Sequence, residues 1–174
     1  MRYGLNIGSG QRRFTSTNEM TWLNIDSVAR DMMPDVLANG AHLENICDSD
    51  MTDVVVLHHV LEHFGCGEAE GLIREAHRVL RPGGSLLVFV PDMQALARRW
   101  LDCGLSDQVF MTNVYGAYMG EEADRHRWGY TTGSLLDFLV KSAAWSGVKM
   151  FDGRAIPGAS ICQDWWILGL ECIK

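Results

Sequence analysis

Three histidines and a glutamate lie close together in the sequence, at His58, His59, Glu62 and His63. Imidazole exchanges a proton near neutral pH, so these histidines suit general acid–base chemistry. His59, Glu62 and His63 also match the order H-x-x-E-H, in which two histidines four residues apart on a helix bind zinc and the glutamate acts as a base. The residue types therefore indicate either proton transfer or a zinc site.

The zinc interpretation requires a helix and a third protein ligand. Gly65 and Gly67 interrupt the chain directly after the motif, so a helix here would be one turn long. No acidic cluster follows in a segment with evident helical periodicity. We therefore predict that the site holds no metal ion.

A second group of residues lies near the N-terminus, where one apolar run opens into Gly8-Ser9-Gly10 and another ends on Asp26. Proteins of the α/β class hold adenosine-containing ligands in this way, because the loop admits the ligand and the acid accepts hydrogen bonds from ribose hydroxyls. A dinucleotide dehydrogenase would need G-x-G-x-x-G, but Arg13 occupies the third glycine position. No amphipathic helix follows the loop either, so a dinucleotide site is disfavoured.

Hydrophobic periodicity predicts the elements that must position these residues. Apolar runs indicate strands over residues 4–7, 22–25, 54–57 and 86–90, and the run 54–57 is typical of a central parallel strand buried on both faces. Apolar spacing by three and four predicts helices over 68–80, 93–101 and 135–145. Two further runs, at 148–151 and 165–170, are joined without a helix and should pair antiparallel.

The segments between these elements have little periodicity. We expect one helical turn or an irregular arm over residues 11–21, a short helix over 32–37 interrupted at Pro34, and a weak strand over 41–46. Residues 103–132 are rich in aromatic side chains and glycines, which is typical of a lid or a substrate-binding insert.

Chain length and composition bound the fold and the function. The 174 residues are 47% hydrophobic, which suits a single domain over residues 1–174 with one substantial core. The element order predicts an α/β fold with a doubly wound, Rossmann-like, mostly parallel sheet and an antiparallel strand near the C-terminus. A net charge of −7 argues against strong nucleic-acid binding.

The cysteine content bears on the compartment. The five cysteines are widely spaced and form no C-x-x-C pair, so we expect free thiols in a reducing environment. No apolar run is long enough to span a bilayer, and the N-terminus lacks the pattern of a signal peptide. We therefore expect a cytoplasmic protein without a membrane span.

The ordered motifs resemble those of class I S-adenosylmethionine-dependent methyltransferases, especially a short subgroup found near surface-polysaccharide genes. The motifs are LNIGSG at 5–10, WLNID at 22–26, DVVVLHHVLEHF at 53–64, EAHRVLRPGG at 75–84 and RHRWGY at 125–130. The resemblance covers nearly the whole chain, and the five motifs in this order are specific together.

The resemblance implies S-adenosylmethionine as the cofactor. Gly8, Ser9 and Gly10 would lie against its methionyl part, and Asp26 would accept hydrogen bonds from its ribose. The nearest match to the adenine-reading pair is His42 and Leu43, although His42 stands where an acid is expected and Glu44 and Asp48 are alternatives. The complete predicted cofactor set is Asn6, Gly8, Ser9, Gly10, Asp26, His42, Leu43, Leu57 and His58.

The resemblance also implies an acceptor, which would be a small molecule or a glycan-like compound. We predict His59 and His126 as catalytic residues, because an oxygen nucleophile benefits from a base that titrates near neutral pH. His63, Trp128 and Tyr130 are predicted to contact the acceptor, with packing of the insert as the alternative role. A non-catalytic cofactor-binding module remains open, as does a homodimer through the C-terminal strand with Trp165 and Trp166.

Overall fold

The computed structural model describes residues 1–174 except for the side chain of Cys66. Among the described residues, seven strands form one sheet in the order β3-β2-β1-β4-β5-β7-β6. The strands are β1 (Arg2–Ile7), β2 (Met20–Asp26), β3 (Val36–Leu37), β4 (Thr52–His58), β5 (Leu80–Pro91), β6 (Gly147–Met150) and β7 (Ile167–Ile173). Strands β1 to β5 pair in parallel, whereas β7 runs antiparallel to both neighbours. The predicted α/β class, with a Rossmann-like, mostly parallel sheet and an antiparallel strand near the C-terminus, is confirmed.

The described residues form four α-helices, which are α1 (Cys66–Val79), α2 (Met93–Cys103), α3 (Asp107–Tyr115) and α4 (Thr132–Ser142). Three of them were predicted, but α3 lies in the insert where no periodicity was found. It buries no residue, so it has no apolar stripe for the sequence to show. No described helix is long and apolar enough to cross a membrane.

The region between β2 and β4 differs from prediction. The helix over 32–37 and the strand over 41–46 do not form, and the two-residue strand β3 occupies the last two positions of the predicted helix. Leu43 is fully buried in the core, although it belongs to no strand. Its backbone N–H donates to a Glu75 carboxylate oxygen at 3.0 Å, which fixes this segment to α1 without sheet pairing.

The two faces of the sheet are covered in different ways. Helices α1 and α4 pack on one face through apolar residues such as Leu72 and Leu139. Irregular segments cover the other face, where Phe14 and Ile156 pack on Trp22 and its neighbours. The chain between β1 and β2 thus forms the irregular arm that its polar sequence predicted.

Candidate functional site

Gly8 and Gly10, Asp26 and the residues after β4 meet at the carboxyl ends of the parallel strands. Together with part of the insert they line a cleft of about 380 Å³. Parallel sheets bind ligands at this edge, in the crevice between β1 and β4. The chain leaves β1 toward β2 on one side of this crevice and leaves β4 toward β5 on the other. The cleft therefore lies where the sequence predicted a cofactor.

No helix follows the glycine loop in the described part of the chain, and the buried amide side chains of Asn6 and Asn24 hold the loop and the arm after it instead. Asn6 Nδ2 donates to the backbone oxygen of Arg12 and to Asn24 Oδ1, both at 2.9 Å. Asn24 Oδ1 also accepts a hydrogen bond from the backbone N–H of Phe14 at 2.7 Å. Asn6, which we predicted as a cofactor residue, thus braces the arm that follows the loop.

The Asp26 carboxylate is fixed by two backbone groups at the wall of the cleft. Oδ2 accepts from the N–H of Gly10 at 2.7 Å, and Oδ1 accepts from the N–H of Val28 at 2.9 Å. A carboxylate has about four acceptor positions, so two remain for a ligand. The two N–H groups orient Asp26 without consuming its capacity.

Ser9 supplies an unusual polar group beside the loop. Its side chain is only 2% exposed, and its Oγ has no hydrogen-bond partner among the described residues. A buried hydroxyl without a partner is destabilising by roughly 1–3 kcal/mol. A polar ligand in the adjoining cavity would satisfy this hydroxyl.

The two glycines of the loop are expected to respond differently to substitution. Both have positive φ, +68° at Gly8 and +50° at Gly10. An added Cβ at Gly8 would lie 2.4 Å from Val60 Cγ2, whereas an added Cβ at Gly10 would have no atom within 4 Å. We expect Gly8→Ala to lower the free energy of unfolding by about 3 kcal/mol and Gly10→Ala by about 1 kcal/mol. Urea denaturation of both variants measures this, and equal losses would contradict the described packing.

The two residues that we predicted to read adenine, His42 and Leu43, do not line the cleft. Asn39 lines the cleft, whereas His42 is exposed outside it and Leu43 lies in the core. Strand β3 ends at Leu37, so the residues that reach the sheet edge come earlier than we predicted. Leu57 is likewise fully buried in the core and lines none of the described cavities at this edge.

His58 fastens the C-terminal loop instead of facing the cleft with Asp26. Its Nε2 lies 3.1 Å from the carbonyl oxygen and 3.3 Å from the backbone nitrogen of Cys162. Burial, followed by the neighbouring His59, lowers the pKa of His58 to about 4. The ring is therefore neutral at physiological pH, and it borders a cavity of about 520 Å³ beside the glycine loop.

The lowered pKa of His58 predicts acid sensitivity. Between pH 6.5 and about 4 the unfolded chain binds a proton at this residue and the folded chain does not, so stability falls as the pH falls through this window. We expect this residue to account for about 3 kcal/mol of destabilisation at pH 4 relative to pH 7. Denaturation of wild type and His58→Gln at both pH values measures it, and an unchanged pH dependence in the variant would contradict the assignment.

His59 occupies a strained backbone position at the end of β4. Its φ is +58°, a conformation that costs a residue other than glycine of order 1–3 kcal/mol and is found at functional sites. Its Nδ1 lies 3.0 Å from Glu62 Oε1. Burial alone would raise the pKa of Glu62, but the hydrogen bond from His59 and its charge outweigh burial, so the pKa is lowered.

His59 also connects the cleft to another cavity, which is distinct from the 520 Å³ cavity beside the glycine loop. This cavity has a volume of about 300 Å³, and its lining includes Arg12, His59, His126 and Trp166. The Trp166 ring lies 5.3 Å from the His59 ring, and His126 Nδ1 lies 2.8 Å from the backbone oxygen of Asn113. The two predicted catalytic histidines therefore share this cavity, and only His59 also lines the cleft.

The remaining predicted acceptor residues separate into two groups. His63 lines the cleft, with its ring 4.8 Å from that of His126. Tyr130 is 3% exposed and packs in the core near Phe138, while Trp128 is exposed in a different surface groove. Trp128 and Tyr130 therefore line neither the cleft nor the cavity that contains His126.

The motif His59 to His63 does not form the helix of a zinc protease. Leu61–His63 is a short 3-10 turn, and His59 precedes it with a left-handed backbone. The two histidines of the motif therefore do not share a helical face. His63 instead approaches His126 from the insert.

An ion pair that the sequence did not indicate joins the insert to the cleft. Arg30 lies after β2 and contacts the buried carboxylate of Asp124, which also accepts hydrogen bonds from the N–H groups of Met119 and Glu121. Burial would raise the pKa of Asp124, but these hydrogen bonds and Arg30 outweigh it and lower the pKa. The insert thereby forms one wall of the cleft beside Asp26.

Comparison with known proteins relates this chain to methyltransferases. Residues 5–88 match a protein family described as a methyltransferase domain. A solved S-adenosylmethionine-dependent methyltransferase of Thermotoga maritima is similar with a TM-score of 0.61 and 16% identity, over 99% of this chain and 82% of that one. A second, from Archaeoglobus fulgidus, has a TM-score of 0.60 and 11% identity over 99% and 86% of the two chains. No curated protein sequence matches the chain.

A third solved structure contains bound ligands. It is a Burkholderia thailandensis 1,6-didemethyltoxoflavin-N1-methyltransferase with 1,6-didemethyltoxoflavin and S-adenosylhomocysteine, at a TM-score of 0.57 and 15% identity over 99% and 70% of the chains. The matched domain supports methyltransferase activity, and the solved structures share the Rossmann-like fold of this chain.

Proposed function

We propose that this methyltransferase acts on a small-molecule or glycan-like acceptor whose nucleophilic atom must lose a proton. The observation that carries the proposal is the position of His59, which lines both the cleft with Asp26 and the cavity with Trp166. A base at this junction lies beside both reactants. The 300 Å³ cavity suits a small molecule or one sugar unit at the lower end of ligand-pocket sizes.

The residues of the cleft fit S-adenosylmethionine. Asp26 has free acceptor positions for the ribose hydroxyls, the Ser9 hydroxyl lacks a protein partner, and an added Cβ at Gly10 would meet open space. We assign the adenine side of the cleft to Asn39 and Phe64, which line it in place of the predicted His42 and Leu43. When bound, the cofactor supplies a methyl group activated by its sulfonium charge.

His59 and Glu62 then act on the acceptor. With Nδ1 donating to Glu62, the other ring nitrogen of His59 accepts the acceptor proton, and the buried carboxylate stabilises the imidazolium. Glu62 is 1% exposed, so this ion pair is shielded from water. His126 lines the far part of the cavity and contacts the acceptor there.

Trp166 provides the test of the acceptor class. Its ring lines the cavity and offers a flat face for a sugar or an aromatic acceptor, whereas Trp165 lies outside it with Arg99 over its ring at 5.0 Å. With methyl-labelled S-adenosylmethionine and a panel of sugars, phenols and amines, we expect Trp166→Ala to raise the KM for the acceptor by about 10-fold or more. Trp165→Ala is the control. Equal effects of both variants, or methylation of none of these compounds, would contradict the proposal.

A further inference from the structure

Glu62, His63 and His126 form a compact cluster next to the cleft and the 300 Å³ cavity that contains Trp166. One potential ligand atom from each residue lies within 4.8 Å of the other two. Glu62 and His63 come from the turn after β4, whereas His126 comes from the insert. His63 lines the cleft and His126 lines the cavity, so the cluster adjoins both.

Glu62 has one oxygen for which the protein provides no partner. Its Oε1 is occupied by His59, but its Oε2 is buried without a hydrogen bond among the described residues. The side chain is only 1% exposed. A buried carboxylate oxygen left without a partner is strongly unfavourable, so this atom indicates a missing cationic or hydrogen-bonding ligand.

The two histidines are oriented as metal ligands commonly are. Nδ1 of His63 lies 3.2 Å from the Arg125 carbonyl oxygen, and Nδ1 of His126 lies 2.8 Å from that of Asn113. A carbonyl oxygen can only accept, so each Nδ1 carries the hydrogen and each Nε2 keeps its lone pair. Such a second-shell hydrogen bond fixes the tautomer and the ring orientation of histidines that bind metals.

Backbone contacts hold the two segments of the cluster together. The N–H groups of Arg127 and Trp128 donate to the carbonyl oxygen of Glu62 at 2.8 Å and 3.1 Å. The insert residue His126 is therefore tied directly to the turn that carries Glu62 and His63. The three side chains form a site built from two fixed segments.

We propose that Glu62, His63 and His126 bind one divalent transition-metal ion of the zinc class. Two imidazoles and one carboxylate form a three-ligand set that leaves a coordination position open. Tetrahedral ligands at about 2.0–2.1 Å from the ion lie about 3.4 Å apart, so the ligand atoms move together by up to about 1.4 Å on binding. His59 is the outer-shell partner of Glu62. This site goes beyond the proposed function and does not depend on it.

Calorimetric titration of the untagged, metal-free chain with zinc chloride, without cofactor or acceptor, tests the site. We expect one ion per chain, with His63→Gln and His126→Gln each weakening binding by more than about 100-fold and His59→Ala, which removes the hydrogen bond to Glu62, by roughly 10–100-fold. His42→Gln is the matched control, because His42 is exposed outside the cluster. Circular dichroism of each variant separates loss of a ligand from loss of the fold.

Cobalt(II) gives a second readout that does not depend on affinity. Binding at two imidazoles and one carboxylate should produce visible absorption bands that both histidine variants lose and His42→Gln keeps. Wild-type binding no tighter than that of the folded His63→Gln/His126→Gln double variant would overturn the site. That outcome would identify the cluster as a hydrogen-bonded network and would leave methyl transfer untouched.

Discussion

Asp26→Ala is expected to weaken binding of S-adenosylhomocysteine by about 100-fold or more. The carboxylate would accept two charge-assisted hydrogen bonds from the ribose, each contributing about 1.5–3 kcal/mol. Its removal also frees the N–H of Gly10, which is bonded to Asp26 Oδ2 at 2.7 Å, and so loosens the loop. Isothermal titration calorimetry of wild type and variant measures the difference.

The matched control for this variant is Asp31→Ala. Asp31 is an exposed acid a few residues after β2 and does not line the cleft, so its removal changes the net charge equally without removing a contact. We expect its affinity to stay within about 3-fold of wild type. Loss of affinity in both variants would indicate a general electrostatic effect, and loss in neither would remove Asp26 from the site.

His59→Gln is expected to lower kcat for methyl transfer by roughly 10²–10⁴-fold, the contribution typical of a general base. Glutamine can still donate to Glu62, which keeps that buried carboxylate paired, but it cannot take up a proton near neutral pH. We therefore expect the affinity for S-adenosylhomocysteine to remain within about 3-fold of wild type. Steady-state kinetics together with calorimetry separate the two effects.

His77→Gln serves as the control for the base. His77 lies on α1 with its Nε2 3.1 Å from the Ala144 carbonyl oxygen, on the helical face and away from both cavities. A variant at His59 that raised the acceptor KM while leaving kcat unchanged would assign His59 to binding only.

Most of the fold could be predicted because the strands and three helices carry strong hydrophobic signals. The run Val54–Leu57 lies in β4, which is buried along its whole length, and the stripe of α1 packs on that sheet. The strand β3 was missed because two residues provide no periodicity. The helix α3 was missed because it buries no side chain and packs mainly against α2.

The site was predicted best where local backbone geometry determines function. Gly8, Ser9, Gly10 and Asp26 are adjacent to strand ends, so the sequence already places them at the cleft or at the 520 Å³ cavity beside it. Asn39 was missed because its position depends on where β3 ends. The contact of Arg30 with Asp124 spans 94 positions in the chain, a separation that sequence patterns do not reveal.

The histidine motif adopts a geometry that differs from the one its sequence pattern indicates. A zinc protease site would require His59 and His63 on one helix face with a third ligand downstream, and we predicted no metal. The structure instead orients His59 toward Glu62 and brings His63 beside His126 in a loop. Only tertiary folding of the insert reveals this three-ligand cluster.

Calorimetric titration of the wild-type chain with S-adenosylhomocysteine, with NAD as the comparison ligand, tests the central claim most directly. The cleft with Asp26, Ser9 and the two loop glycines predicts one bound S-adenosylhomocysteine per chain and no measurable binding of NAD. Absence of S-adenosylhomocysteine binding by folded protein, or equal binding of NAD, would contradict the assignment of this cleft to the methyl donor.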